Sequence, residues 1–91
     1  MRILFAEPNA IINWSYGSVL QDHGHVVLGP AQTTSEALGV AATAMPLHLA
    51  LVEVDLADGA WTGWLLAREL RDRWSVPTLF FTTRKPAELP P

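Results

Sequence analysis

Carboxylates gather at two places in this chain. Glu7 follows an apolar run, RILFA, and Glu53, Asp55 and Asp58 crowd the end of another, LALVEVDLADG. Paired carboxylates such as Glu7 and Glu53 are the equipment of general acid/base hydrolysis, in which one holds a proton and the other takes one. No nucleophile or set of oxyanion donors accompanies them, so the chain is not expected to be an enzyme. Asp55 would share a face with Glu53 if the strand ran on, but an acid there ordinarily begins a turn, and Asp58-Gly59 is ordinary turn chemistry. His23 and His25 flank Gly24 and His48 opens the third apolar run, all without a carboxylate cluster nearby. They are expected at strand ends or on the surface. The chain has no Cys, which excludes disulfides and Cys-based zinc sites. No metal centre is expected.

The elements that must position these groups alternate along the chain. RILFA (2–6) is β-suited and bounded by Pro8 and Asn9, as for a strand buried on both faces. From Ala10 to His23 the pattern is helical, with Ile12, Tyr16, Val19 and Leu20 on one side, and Gly24 stops it. HVVLG (25–29) is a second strand, closed by Gly29-Pro30. Thr33 or Thr34 caps a helix that runs through SEALGVAATAM towards Pro46. LHLALVEV (47–54) is a third strand, a helix covers about Gly63 to Trp74, and VPTLFFT (76–82) is a fourth strand with its Pro at the start. Strand-helix alternation of this kind predicts a parallel α/β sheet with right-handed crossovers.

Bulk properties narrow the function. At 91 residues the chain is one small domain, and 49% hydrophobic with 16% charged residues is too apolar for disorder. A net charge of −3 without a Lys/Arg block argues against nucleic acid as a partner. MRILFA is too short for a signal h-region or a membrane span, so no membrane association and a cytoplasmic location are expected.

Four segments in order, ILFAEPNAII, LQDHGHVVLGPAQTTSEAL, LALVEVDLADG and VPTLFFTT, resemble the receiver domain of two-component response regulators. The resemblance covers nearly all 91 residues. It implies a flavodoxin-like (CheY-like) parallel sheet, here with four strands in the order 2-1-3-4 and three helices over residues 1–83, followed by a Pro-rich tail over 84–91. It also implies a phosphate-accepting site. In such a domain two adjacent acids after the first strand hold Mg²⁺, an Asp ending the third strand takes the phosphoryl group, a Thr or Ser ends the fourth, and a Lys ends the fifth.

Carried over by position, Glu7 stands at the first acidic place and Pro8, with no ligand atom, at the second. Glu53 stands where the Asp acceptor belongs, one methylene too long for in-line transfer. Thr82 keeps its hydroxyl, and the fifth-strand Lys has no counterpart. These residues therefore read as a vestigial pocket, doubtful for Mg²⁺, in a pseudo-receiver that is not phosphorylated. Glu53 is either a fixed mimic of the phosphorylated state or inert. The alternative is a working phosphoacceptor at Glu53 or Asp55.

A helical projection of Gly63 to Trp74 puts Leu66, Ala67, Leu70 and Trp74 on the sheet side, with Trp64 and Leu65 pointing away. Trp61 lies in the preceding turn, and Trp14 lies opposite the apolar side of the first helix. Clustered Trp side chains mark contact surfaces, so Trp14, Trp61, Trp64 and Leu65 form the expected interaction surface. With strand order 2-1-3-4 the fourth strand is an open edge and one sheet face has a single helix over it. An edge of that kind invites a partner. A homodimer or a signalling protein is expected, with the tail as another possible cover.

Overall fold

The computed structural model describes residues 1–82 and 84–88. Its elements are β1 (Arg2–Ala6), α1 (Ala10–Asp22), β2 (Val26–Ala31), α2 (Thr34–Thr43), β3 (Leu49–Glu53), α3 (Thr62–Trp74) and β4 (Thr78–Phe81), with a short 3₁₀ turn at Pro86–Glu88. All strand pairs are parallel and the order is β2-β1-β3-β4. The four-stranded receiver-type sheet with three helices is thus the observed architecture. The last three residues of the expected tail, and Thr83 at the expected boundary, lie outside the described residues.

Local chemistry sets the helix starts. Asn9 Oδ1 accepts from the backbone N–H of Ile11 and Ile12, capping α1, and Thr33 Oγ1 accepts from Glu36 N–H at 3.1 Å, capping α2. Trp61 precedes α3 in a left-handed conformation, φ 64°, and gives it no side-chain cap. Gly63 is required there, because the first turn of α3 lies against the end of β3 and a Cβ would run into the Glu53 carbonyl.

The main core lies on the face covered by α2 and α3, where Leu4, Ala6, Ala50 and Val52 meet Ala37, Ala41, Leu66 and Leu70. Leu47 and Val76 are buried in this core but stand outside the ladders. Strands β3 and β4 are therefore shorter than the apolar runs that announce them. The other face carries Ile3 and Phe5, fully buried, and is covered by α1.

Two expectations are corrected. Gly29-Pro30 does not close β2, which runs on to Ala31 with a register shift between Leu4 and Ala6. β2 is an edge strand, where a residue without an N–H is tolerated. The apolar side of α1 is laid only partly on the sheet. Asn13 and Gly17 are its buried residues, while Tyr16 and Val19 are 53% and 55% exposed. Gly17 brings α1 close to β2, the position of a Cβ there being 3.9 Å from Val27 Cγ1. The flank carrying Tyr16 and Val19 consequently overhangs the β3–β4 part of the face, where no helix packs among the described residues.

Candidate functional site

Glu7, Pro8, Glu53 and Thr82 converge at the C-terminal edge of the strands, where ligands bind in open α/β sheets. They line an open pocket of about 410 Å³ together with Asn9, Ile12, Tyr16, Asp55 and Phe81. Glu7 and Glu53 are both buried. Each is held by a backbone N–H two residues on: Asn9 N donates to Glu7 Oε1 at 3.0 Å, and Asp55 N to Glu53 Oε1 at 3.4 Å. Asn13 Nδ2 donates to the Glu7 carbonyl at 3.3 Å, so the buried polar residue of α1 fixes the turn after β1.

Burial pushes both carboxyls above the ordinary glutamate range. The Asn9 N–H opposes this at Glu7. At Glu53 the Asp55 N–H opposes it and the Glu7 charge reinforces it, with smaller contributions from the Thr82 hydroxyl, which lowers, and the Asp55 charge, which raises.

Asp55 behaves differently. The Arg84 guanidinium grips it with two hydrogen bonds, Nε to Oδ2 at 2.7 Å and Nη2 to Oδ1 at 2.8 Å, and Trp61 N–H donates to Oδ1 at 2.8 Å. These bonds, Arg84 first, hold the Asp55 carboxyl below the usual range. The guanidinium also lies 4.0 Å from the Trp61 ring centroid, and Arg84 N–H donates to Thr82 Oγ1 at 2.9 Å. Asp58 accepts from Thr34 N–H and joins the β3–α3 loop to the start of α2. Sequence reasoning missed Arg84, assigning it to the tail. The available signal was an Arg two residues beyond a strand-ending Thr, at the edge where the acids collect.

The expected interaction residues do not form one patch. Trp14 is 74% exposed on α1 and Leu65 is 53% exposed on α3. Trp61 lies against Arg84. Trp64 does not point freely away: it is half-buried and stacks on Phe80 of β4, centroids 4.7 Å apart and planes 18° from parallel. Trp64 lies flat over Phe80, which is 37% exposed. The histidines sit apart from the pocket. His48 Nδ1 accepts from Arg2 N–H at 2.9 Å, His25 Nδ1 lies 3.0 Å from the N-terminal amine, and His23 Nδ1 is 2.9 Å from the Val19 carbonyl.

No family model matches the chain. Over 81 residues, 89% of the chain, it is 31% identical to the phyllosphere-induced regulator PhyR of Methylorubrum extorquens, covering 30% of that protein. The crystal structure of the response regulator PhyR from Brucella abortus superposes with a TM-score of 0.84 at 27% identity, covering 98% of this chain and 37% of that one. The solution structure of the response regulator receiver domain of PhyR from Erythrobacter litoralis gives a TM-score of 0.80 at 27% identity, over 89% of this chain and 61% of that one. The chain is a receiver-like domain of the response-regulator kind. It spans about a third of the full-length regulators it matches.

In receiver terms, a Mg²⁺ site needs several converging oxygens. Pro8 supplies none, and both Asp55 oxygens are engaged by Arg84. Among the described residues no three His, Asp or Glu side chains come together as a metal-binding group. The residues present do not fit the ion, and no step is routed through it.

Proposed function

We propose that this receiver-like domain is a pseudo-receiver: it works in two-component-type signalling by binding another protein, without being phosphorylated. The observation that carries this reading is Glu53 at the acceptor position, buried, with its carboxyl pushed towards the neutral form and Pro8 beside it in place of a second acid. Phosphoryl transfer is catalysed almost wholly by positioning and charge neutralisation. A buried, overlong acceptor without a metal cage offers neither. The displaced alternative, Asp55, is charged but spends both oxygens on Arg84. Arg84 supplies positive charge near the pocket and ties Asp55 of the β3–α3 loop to the segment after β4.

Glu7 and Glu53 do share a cleft, which is what a carboxylate hydrolase would need. Its remaining walls are Pro8, Asn9, Ile12, Tyr16, Asp55, Phe81 and Thr82; the Asn9 and Asp55 N–H groups are already given to Glu7 and Glu53, and the relatives are regulators. A protein partner is therefore favoured over a substrate. Trp14 and Leu65 are available for contact, and self-association through an exposed surface is the second form of the same reading. Among the described residues no helix is long and apolar enough to cross a membrane. We place the action of the domain in the cytoplasm.

The test is incubation with acetyl phosphate and Mg²⁺, followed by intact mass. The mass should be unchanged; a stable phosphoryl adduct would overturn the reading in favour of a working receiver. Light scattering over a range of concentrations reports whether the partner is a second copy, and Trp14→Ala or Leu65→Ala should then weaken the association.

A further inference from the structure

A second groove lies at the β2 edge, the side of the sheet remote from β4. It runs between α1 and the 27–32 stretch and encloses about 260 Å³. Small helix residues, Ala10, Gly17 and Ser18, leave the space; Trp14 and Gln21 stand on the helix side and Pro30 and Gln32 opposite. None of the lining residues is charged. Trp14 is 74% exposed at the rim. Asn13 is the opposite case: it is 7% exposed, and it lines this groove and not the pocket of Glu7 and Glu53. Its Nδ2 donates to the Glu7 carbonyl at 3.3 Å, and among the described residues its Oδ1 accepts nothing and is not sealed from solvent. An amide so placed keeps one acceptor and one N–H for whatever enters the groove.

We propose that this groove binds a single uncharged, planar heterocycle with a donor beside an acceptor on one edge, the pattern of an adenine base. Asn13 Oδ1 accepts from the exocyclic amine and the spare Nδ2 hydrogen goes to the adjacent ring nitrogen, the pairing by which an amide side chain reads adenine. The exposed Trp14 ring supplies the face on which the base stacks. Gln21 and Gln32 bring further donors and acceptors to the ends of the groove. Volume limits the ligand. Cavities for drug-sized molecules run to about 300–1,000 Å³, so this one suits a ring system and not a whole nucleotide. Charge limits it further. The groove offers no Lys or Arg to a phosphate and the chain carries a net charge of −3, so a phosphate tail adds no affinity and a nucleic-acid strand, held mainly by its phosphates, is excluded. A sugar can lay a C–H face on Trp14 but has no planar edge that pairs donor and acceptor with one amide. The inference goes beyond the interaction reading and does not depend on the state of Glu53.

The test is a titration of the ¹⁵N-labelled full chain with adenosine, followed through amide and indole shifts. Saturable shifts should map to Gly17, Val27, Gln32 and the Trp14 indole, with a dissociation constant of about 1 mM or tighter. ATP should bind no more tightly than adenosine. Inosine carries an oxygen in place of the amine, so it tests the Asn13 contact without altering the fold, and it should bind at least about fivefold more weakly. Trp14→Ala changes an exposed residue, should leave the circular dichroism spectrum intact, and should weaken adenosine at least about fivefold. Leu65→Ala, on α3, should change nothing. Absence of saturable shifts up to about 10 mM adenosine, shifts confined to the pocket of Glu7 and Glu53, or binding indifferent to Trp14→Ala would each overturn the proposal. So would inosine or glucose matching adenosine, or ATP exceeding it, since these give the groove to a ring of other chemistry or to a phosphate. A phosphoryl adduct in the acetyl phosphate experiment would instead defeat the pseudo-receiver reading and leave the adenosine result standing.

Discussion

Replacing Gly63 by Ala should be among the most damaging conservative changes in this domain. A Cβ at that position falls on the Glu53 carbonyl oxygen, well inside the 3.0 Å that real Cβ atoms keep, and lies 2.9 Å from both Glu53 C and Val52 Cγ1. These are strand backbone and a fully buried side chain, so no rotamer change relieves the contact. The first turn of α3 must retreat from β3. That retreat strains the Gly63 N–H to Val54 carbonyl hydrogen bond, 2.9 Å long, and loosens the packing of Leu66 and Leu70. Overpacking of a core costs about 1–3 kcal/mol and a weakened hydrogen bond about 1 more, against a gain of about 0.4–1 from the stiffer unfolded chain. The net loss is about 1–3.5 kcal/mol, out of a total stability of about 5–14 kcal/mol for a domain of this length. Each kcal/mol lowers Tm by about 4–8 °C in so small a domain. Gly39 is the internal control. It sits inside α2 with nothing within 4 Å of a Cβ, so Gly39→Ala should stabilise by about 0.5–1 kcal/mol. Urea unfolding followed by Trp fluorescence measures both. Equal stability of Gly63→Ala and wild type, or a loss on Gly39→Ala as large as that on Gly63→Ala, would refute the close approach of α3 to β3.

Three further outcomes follow from the site. Glu53 titrates above its unfolded value, so its contribution to stability is fully present below that ordinary value of 4.5 and is lost as pH rises through the folded value; Glu53→Gln should therefore raise Tm at pH 7, and the gain should shrink as pH falls towards 4.5. Asp55 has the opposite sign, its stabilisation being present above the ordinary value of 3.8 and lost as pH falls through the folded value; Arg84→Ala should raise the Asp55 titration midpoint in carboxyl NMR and change Trp61 fluorescence, and Arg84→Lys should not restore either, because an ammonium cannot reproduce the two-point grip. A double-mutant cycle on Trp64→Ala and Phe80→Ala should show a coupling of about 0.5–1.5 kcal/mol; a coupling near zero would mean that the stacked pair is not formed in solution.

Much of the architecture was legible because local rules and hydrophobic period agreed. The three apolar runs ending near Glu7, Glu53 and Thr82 announced parallel strands with a shared C-terminal edge, and the convergence of these residues follows from that topology. The helix cap at Thr33 was similarly local; the cap at Asn9, read only as a strand boundary, was not picked out. Reading the helix faces was less secure. Periodicity in α1 picked out Ile12, Tyr16, Val19 and Leu20, yet an apolar stripe reports only which residues are hydrophobic. It does not report which flank finds a surface to cover.

The sequence by itself determined the identity of the atoms at the pocket: a Glu where an Asp acceptor would stand, a Pro with no ligand atom next to Glu7, and a hydroxyl at Thr82. These are matters of covalent structure and of position along strands whose period is two. Tertiary structure alone decided how those atoms are used. Arg84 closes on Asp55 across 29 residues of chain and rests on Trp61. Trp64 turns from a free surface residue into a stacking partner of Phe80. Gly17 seats α1 over β2 and shapes the groove that Asn13 lines. Each of these depends on distances between segments remote in sequence, which are set by how the layers pack and carry no local signature.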